Sequence, residues 1–300
     1  MNGFRPLMRA AIAAALALVP ASAAFAADAT VPFADVDNDG VFGPNDVPLT
    51  DALADGRFDT SLADARWQPR EGKVGIVVPA GAKKLAPKSG VLLLAASGDV
   101  TIEADLTTPT RDGAVVIVST GGAVHVAPGV KITGGDFVKL VAAGEVMIGD
   151  GVTLGTKGHD FEDRLSIVST AGDILVGDRV TLAGGGLCQV ATADDTGGMI
   201  HFGAKAKISA PGGNLQVTAG RDLVLDGSTL SAERLLVGSH SSDRSPGQAT
   251  LRGATIKAGG DSPEVHIYAD GGVGSMVDLT GSKMKADPSI VLITADTVMH

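Results

Sequence analysis

From Lys73 to the end of the 300-residue chain, short runs of alternating apolar and polar residues are separated by Gly, Asp, Ala or Pro. One phrase recurs. Its clearest copies are Phe137–Ile148 (FVKLVAAGEVMI) and Leu165–Val176 (LSIVSTAGDILV), each followed by a Gly-Asp turn and a further alternation, Val152–Leu154 or Val180–Leu182. Copies begin near Val91, Ala114, Phe137, Leu165, Leu187, Asn214, Arg234, Glu264 and Ser289, at spacings of 20 to 30 residues, and a partial copy, Val74–Leu85, precedes them. Period-two alternation with β-branched residues at the apolar positions predicts short strands. Helical i, i+3, i+4 spacing is absent, and glycines interrupt every candidate helix. Three strands and three turns per copy predict one coil of a parallel β-solenoid, about nine coils in all. Equivalent residues of successive coils then lie about 4.8 Å apart.

That stacking predicts internal columns of aliphatic residues. The first-strand column is expected to run through Val138/Leu140, Ser166/Val168, Cys188/Val190 and, at the last coil, Ile290/Leu292; the second-strand column runs through Val146/Ile148 and Ile174/Val176. The complementary outward positions of the first strand then hold Leu93, Val116, Val118, Val141, Ile167, Leu236, Val291 and Ile293, which is unusually apolar for a wet surface. Such a row predicts either a covering chain segment or a partner. The stretch Leu49–Gln68, with Leu53, Phe58, Leu62 and Trp67, is the candidate to cover it or to cap the first coil. On the third strand, Thr153, Thr181, Thr229 and Thr255 form an outward row interrupted by Lys207. Threonine ladders can organise water, as in ice-binding solenoids, but one Thr per coil with a lysine break is accounted for by strand propensity alone.

Composition agrees with a narrow aliphatic interior. Aromatic residues make up 3%, and from residue 71 onward they are Phe137, Phe161, Phe202 and Tyr268 alone. The 41 glycines do not fall at every third position, which excludes a collagen-like chain, and 44% hydrophobic residues exclude general disorder. A single cysteine, Cys188, excludes an internal disulfide framework and a multi-Cys zinc site. It falls in an inward column, as a small buried hydrophobe.

The Gly-Asp-Ile/Val-x-Val/Ile phrases, seen at Gly98–Ile102 and Gly172–Val176, resemble the repeats of filamentous-haemagglutinin-like exported proteins within the right-handed parallel β-helix family. The resemblance covers the repeat region and is specific for fold, not activity. The N-terminal secretion domain of those proteins is not recognisable here. The rival architecture is an antiparallel β-sandwich, which does not require the same three-strand phrase in every copy.

Residues 1–26 read as a cleavable signal peptide. Arg5 and Arg9 precede the apolar run Ala10–Val19, and Ala24-Phe25-Ala26 supplies an A-x-A cleavage site. Its removal takes two arginines and no acid, moving the formal charge from −10 to −12. Residues 27–70 then form an N-terminal segment and 71–300 the β-helix. No later stretch is apolar for long enough to span a bilayer. An acidic chain is poorly suited to nucleic acid, which needs a cationic face. The expectation is a secreted, cell-surface or periplasmic protein, with a surface polysaccharide or another surface protein as partner. The apolar strand expected near Ser289–Thr294 has no obvious polar cap, which also predicts end-to-end self-association.

Two chemistries can be weighed. The β-helix resemblance implies the possibility of polysaccharide lyase or hydrolase activity, whose carboxylates would sit on an outer face. The expected outward first-strand positions hold no Asp or Glu, so paired carboxylates for glycosidic cleavage are missing there. Turn insertions at His159–Arg164, Asp194-Asp195 and His240–Arg244 are the remaining candidates, although a loop of mixed charge is usually just a solvated turn. His125 and His201 share an outward position but lie three copies apart, roughly 14 Å, too far to share a metal.

The second chemistry is calcium binding. Asp35-Val-Asp37-Asn-Asp39-Gly40-Val41 through Asp46 fits a twelve-residue loop with oxygen ligands at Asp35, Asp37 and Asp39. Gly40 permits the sharp turn, the Val41 carbonyl is available, and Asp46 stands at the twelfth position. The loop resembles an EF-hand or dockerin repeat, but occurs once and ends in Asp instead of Glu. Weak calcium binding in a non-catalytic adhesion or matrix element is therefore the leading expectation, and a polysaccharide-active enzyme the alternative.

Overall fold

The structure is a computed structural model that describes residues 31–49, 56–60, 73–82, 85, 87, 90–158, 160–193, 198–241, 245–285 and 290–299. The signal peptide, Leu53, Leu62, Trp67, His159, Asp194, Asp195, Asp243 and Arg244 lie outside these residues. The described chain is all-β and winds into a parallel β-solenoid of about eight turns, one fewer than the repeat count suggests. A representative coil comprises the strands Phe137–Ala142, Val146–Ile148 and Thr153–Thr156. Its successor comprises Arg164–Ser169, Ile174–Val176 and Thr181–Ala183. Every corresponding pair is parallel and in register, Val138 against Leu165, Val146 against Ile174 and Leu154 against Leu182. Second strands build one sheet. First and third strands build the other, because Lys207–Ala219 and Thr229–His240 run unbroken through both positions.

In-register stacking puts like side chains on top of one another, and the interior is the resulting set of columns. Ile117, Leu140, Ile167 and Val190 are fully buried in the first-strand column, as are Val124, Val146, Ile174 and Ile200 in the second. Cys188 takes its expected place, and burial pushes its thiol up to about 12, so it behaves as an inert core residue. At the corner after the first strand the internal column is small or hydroxylic: Ala96, Ser119, Ala142, Ser169 and Thr192. Ser119 Oγ accepts the Gly122 N–H at 2.8 Å and donates to the Gly98 carbonyl at 2.7 Å, so the hydroxyl is satisfied inside the bend.

Aspartates stitch the corners from coil to coil. Asp99 Oδ1 accepts the Ala123 N–H at 2.8 Å, and Asp173 Oδ1 accepts the Met199 N–H at 2.7 Å, one coil further on in each case. At the next corner Asp150, Asp178 and Asp226 accept from Asp178, Ala204 and Arg252. The recurrent Gly-Asp phrase is therefore a hydrogen-bonding device. That second corner also requires a left-handed backbone. Gly129 and Gly151 meet the requirement with φ of 77° and 68°, whereas Arg179 and Lys205 adopt φ of 57° and 63° with full side chains. L-residues there bear a cost of about 1 kcal/mol each.

Short strands close the N-terminal end. We label them β1 (Phe33–Asp35), β2 (Val47–Pro48), β3 (Arg57–Asp59) and β4 (Gly75–Val78). β4 stacks in parallel on Val100–Ile102, β1 pairs antiparallel with β4, and β2 pairs antiparallel with β1. β3 adds in parallel to Val91–Ala96 and buries Phe58 at the end of the core. Of the two roles expected for this region, the described part extends the sheet edge as a cap and does not lie over the apolar face. The outermost strand, β2, is two residues long and ends in Pro48, which blunts the sheet edge against further pairing.

Two facing assignments are corrected. In the coil at Arg164–Ser169 the inward residues are Leu165 and Ile167, both fully buried, while Ser166 and Val168 face outward. The strand begins one residue earlier than its apolar pattern implies, with Arg164 opposite Phe137. In the last coil Val291 and Ile293, not Ile290 and Leu292, continue the inward column through Val265 and Ile267. That coil is stacked on one side only among the described residues, leaving Ile290, Val291 and Leu292 about half exposed. The register is testable at one site. Ile167→Asp should destabilise the fold by more than about 4 kcal/mol in denaturant unfolding, because it buries an unpaired charge. Val168→Asp should stay under about 1 kcal/mol. The reverse order would contradict the register.

Candidate metal centre

The acidic loop spans residues 36–46, between β1 and β2. Asp35, Asp37 and Asp39 each bring a carboxylate oxygen within 4.8 Å of the others. Asp35 is almost wholly buried; its Oδ1 accepts the Asp39 N–H at 3.1 Å and its Oδ2 the Gly40 N–H at 2.8 Å. Asp39 Oδ1 accepts the Val41 N–H at 2.8 Å. Asp37 Oδ1 is shielded from solvent and has no hydrogen-bond partner among the described residues. A shielded carboxylate oxygen without a donor, next to two further carboxylates, is a polar group that a hard cation would satisfy.

Asp46 and Val41 complete the loop. Asp46 spans the base of the loop, with Oδ1 accepting from Val36 at 2.9 Å and Oδ2 from Gly43 at 2.7 Å. It is outside the three-carboxylate cluster, although its charge acts on Asp35. The Val41 carbonyl oxygen stands 3.8 Å from the position a Cβ would take on Gly43, within the same turn. Asp35, Asp37 and Asp39 are thus brought together, while Asp46 closes the loop. Phe42 folds back edge-on against the buried Phe33, with ring centroids 5.1 Å apart.

One residue that the calcium pattern does not single out ties the loop to the solenoid. Asn38 has a left-handed backbone (φ 56°), and its Oδ1 accepts the Asp99 N–H at 3.1 Å. Asp99 in turn accepts from Ala123. Asn38 is therefore the first rung of the same corner ladder that stitches the coils. No local motif signals it, because its partner lies 61 residues away.

The other candidates that fall among the described residues lie in turns and on the outward face of the second strands. Asp160 pairs with Arg111, and the buried Asp163 accepts the Asp160 N–H at 2.7 Å, so this turn is held by its own acids. His240 Nδ1 lies 2.5 Å from Asp270 Oδ1 on adjacent coils at the corner. His125 and His201 are three coils apart, as expected, and burial holds the His125 imidazole below its ordinary pKa. The middle outward row of the first strands, after the register correction, runs Lys139, Ser166, Gln189, Gln216, Leu236 and His266, with Gln189 and Gln216 bonded at 3.3 Å. Among the described residues no helix is long and apolar enough to cross a membrane. Comparisons with protein-family models, with curated proteins and with solved structures return no match to this chain.

Burial pushes the Asp35 carboxyl up to about 6; the Gly40 and Asp39 N–H groups oppose the shift, and the Asp46 and Asp39 charges add to it. Asp46 is shifted in the same direction, again chiefly by burial. An acid whose folded pKa exceeds its ordinary 3.8 binds more protons folded than unfolded between the two values. Chelator-treated protein should therefore lose cap stability as pH rises from about 4 to about 6 and then level off. Thermal unfolding across that range checks the sign, and Asp35→Asn should flatten the slope. Stability that increases over the interval would contradict the environment described for Asp35.

Proposed function

We propose that this protein is an exported, non-catalytic β-solenoid whose N-terminal cap binds calcium and which serves as a cell-surface, matrix or adhesion element. The observation that carries the proposal is the placement of the acidic loop. It sits at the end of the solenoid and is hydrogen-bonded through Asn38 to the first corner. A cation held by Asp35, Asp37 and Asp39 would thus act on the closure of the fold and not on a reacting substrate. Calcium suits the all-oxygen donor set, and it would relieve the repulsion and desolvation that raise Asp35. Export is supported by the N-terminal sequence pattern, and the partner class is a surface polysaccharide or surface protein. End-to-end contact through the half-exposed last coil belongs to the same reading.

Calorimetric titration of the mature protein tests the metal. A Kd on the order of 10⁻⁴ to 10⁻³ M is expected, in the range of extracellular modules. Asp37→Ala should abolish the heat of binding while leaving the far-ultraviolet circular dichroism unchanged. Wild-type protein that binds no calcium up to several millimolar, or an Asp37→Ala variant that binds as the wild type does, would overturn the calcium reading.

A further inference from the structure

The third strands present an outward face that lies apart from the acidic loop of the cap. Register places Lys131, Lys207 and Lys283 in one row, with Thr153 and Thr181 between the first two and Thr229 and Thr255 between the second two. Each interval is three coils, roughly 14 Å at the interstrand spacing. The neighbouring outward row carries Thr133, Ser209, Ser231 and then Lys257. All four lysines are exposed, and none is ion-paired to another described residue. At the adjoining corner the two side-chain-bearing residues in the left-handed column are both basic, Arg179 and Lys205 on successive coils.

Beyond Lys131 these two rows hold no carboxylate. Asp105 precedes Lys131 and accepts its N–H at 2.8 Å. The corner carboxylates Asp150, Asp178 and Asp226 are each engaged with the backbone of the next coil. In a chain of formal charge −10, a straight strip of unpaired cations and small hydroxyls is a marked segregation of charge.

We infer that this face is a docking strip for a linear anionic polysaccharide, lying along the solenoid axis. The inference rests on the reading of the protein as a surface or matrix element and names its partner class. Lysines recurring at a fixed interval meet carboxylates recurring along a polymer. Threonine and serine hydroxyls between them exchange hydrogen bonds with sugar hydroxyls, and the absence of bulky side chains lets an extended chain lie flat. Single exposed ion pairs are weak, so binding depends on several contacts at once and is sensitive to salt.

The test is titration with polygalacturonate at low ionic strength in EDTA, with dextran as the uncharged polymer. Chelation keeps the outcome separate from calcium binding at the cap. Wild-type protein should bind polygalacturonate but not dextran. Lys207→Gln/Lys257→Gln/Lys283→Gln should weaken binding by about tenfold or more. Lys139→Gln/Arg221→Gln/Arg234→Gln, which removes the same charge from other surfaces, should stay within about twofold. If the first triple variant does not fold, Lys207→Gln alone should still weaken binding measurably. Absence of wild-type binding, equal binding of dextran, or equal losses in the two triple variants would overturn the assignment.

Discussion

Everything in this molecule follows from one constraint: each coil must hydrogen-bond in parallel and in register with the coil before it. Backbone pairing fixes the spacing, so any residue type placed at one position meets its own counterpart above and below. Aliphatic side chains tolerate that repetition and fill the interior as columns; rings would crowd it, and Phe202 is the only aromatic after residue 71 that is fully buried. Polar groups are tolerated inside only where the backbone bends, as Ser119 and Ser169 show by bonding to the glycines of their own turns. Charged groups survive at the corners by accepting the N–H of the following coil, as Asp99, Asp150 and Asp178 do.

The same constraint makes the ends of the solenoid its weak points. An open end presents unpaired backbone and half-exposed column residues. At the N-terminal side β1 lies antiparallel on β4 and β2 on β1, and the short, proline-bearing β2 blunts the edge. The acidic loop joins β1 to β2, and Asn38 makes it one more rung of the corner ladder. Loop, cap and first coil are thus mechanically one unit, and any ligand of the carboxylates bears on the closure of the whole stack.

Much of this was legible in the chain because period-two alternation and a three-strand phrase are local signals. The inward columns around Val138/Leu140 and Val146/Ile148 follow directly from them. The pattern misleads where alternation degenerates. In Leu165-Ser-Ile-Val-Ser the adjacent Ile167 and Val168 are both apolar, and only the pairing of Arg164 with Phe137 decides which one faces in. Ile290-Val-Leu-Ile is apolar throughout, so nothing local fixes its phase. The cluster of Asp35, Asp37 and Asp39 and the placing of Lys207 among the outward threonines could be read from spacing, whereas the bond between Asn38 and Asp99 and the addition of Lys131, Lys257 and Lys283 to that face emerge only once register is known.

Parallel stacking in fixed register is therefore the claim on which all side-chain assignments depend, and spin-label distances test it directly. With Cys188→Ala as background, nitroxides would be attached at Lys139→Cys paired in turn with Gln216→Cys, Leu236→Cys and His266→Cys, which lie three, four and five coils away. The distances should rise steadily, by about 4.8 Å per coil, to roughly 24 Å for the last pair. A series that fails to increase with coil number would contradict the stacking order and every facing assignment drawn from it.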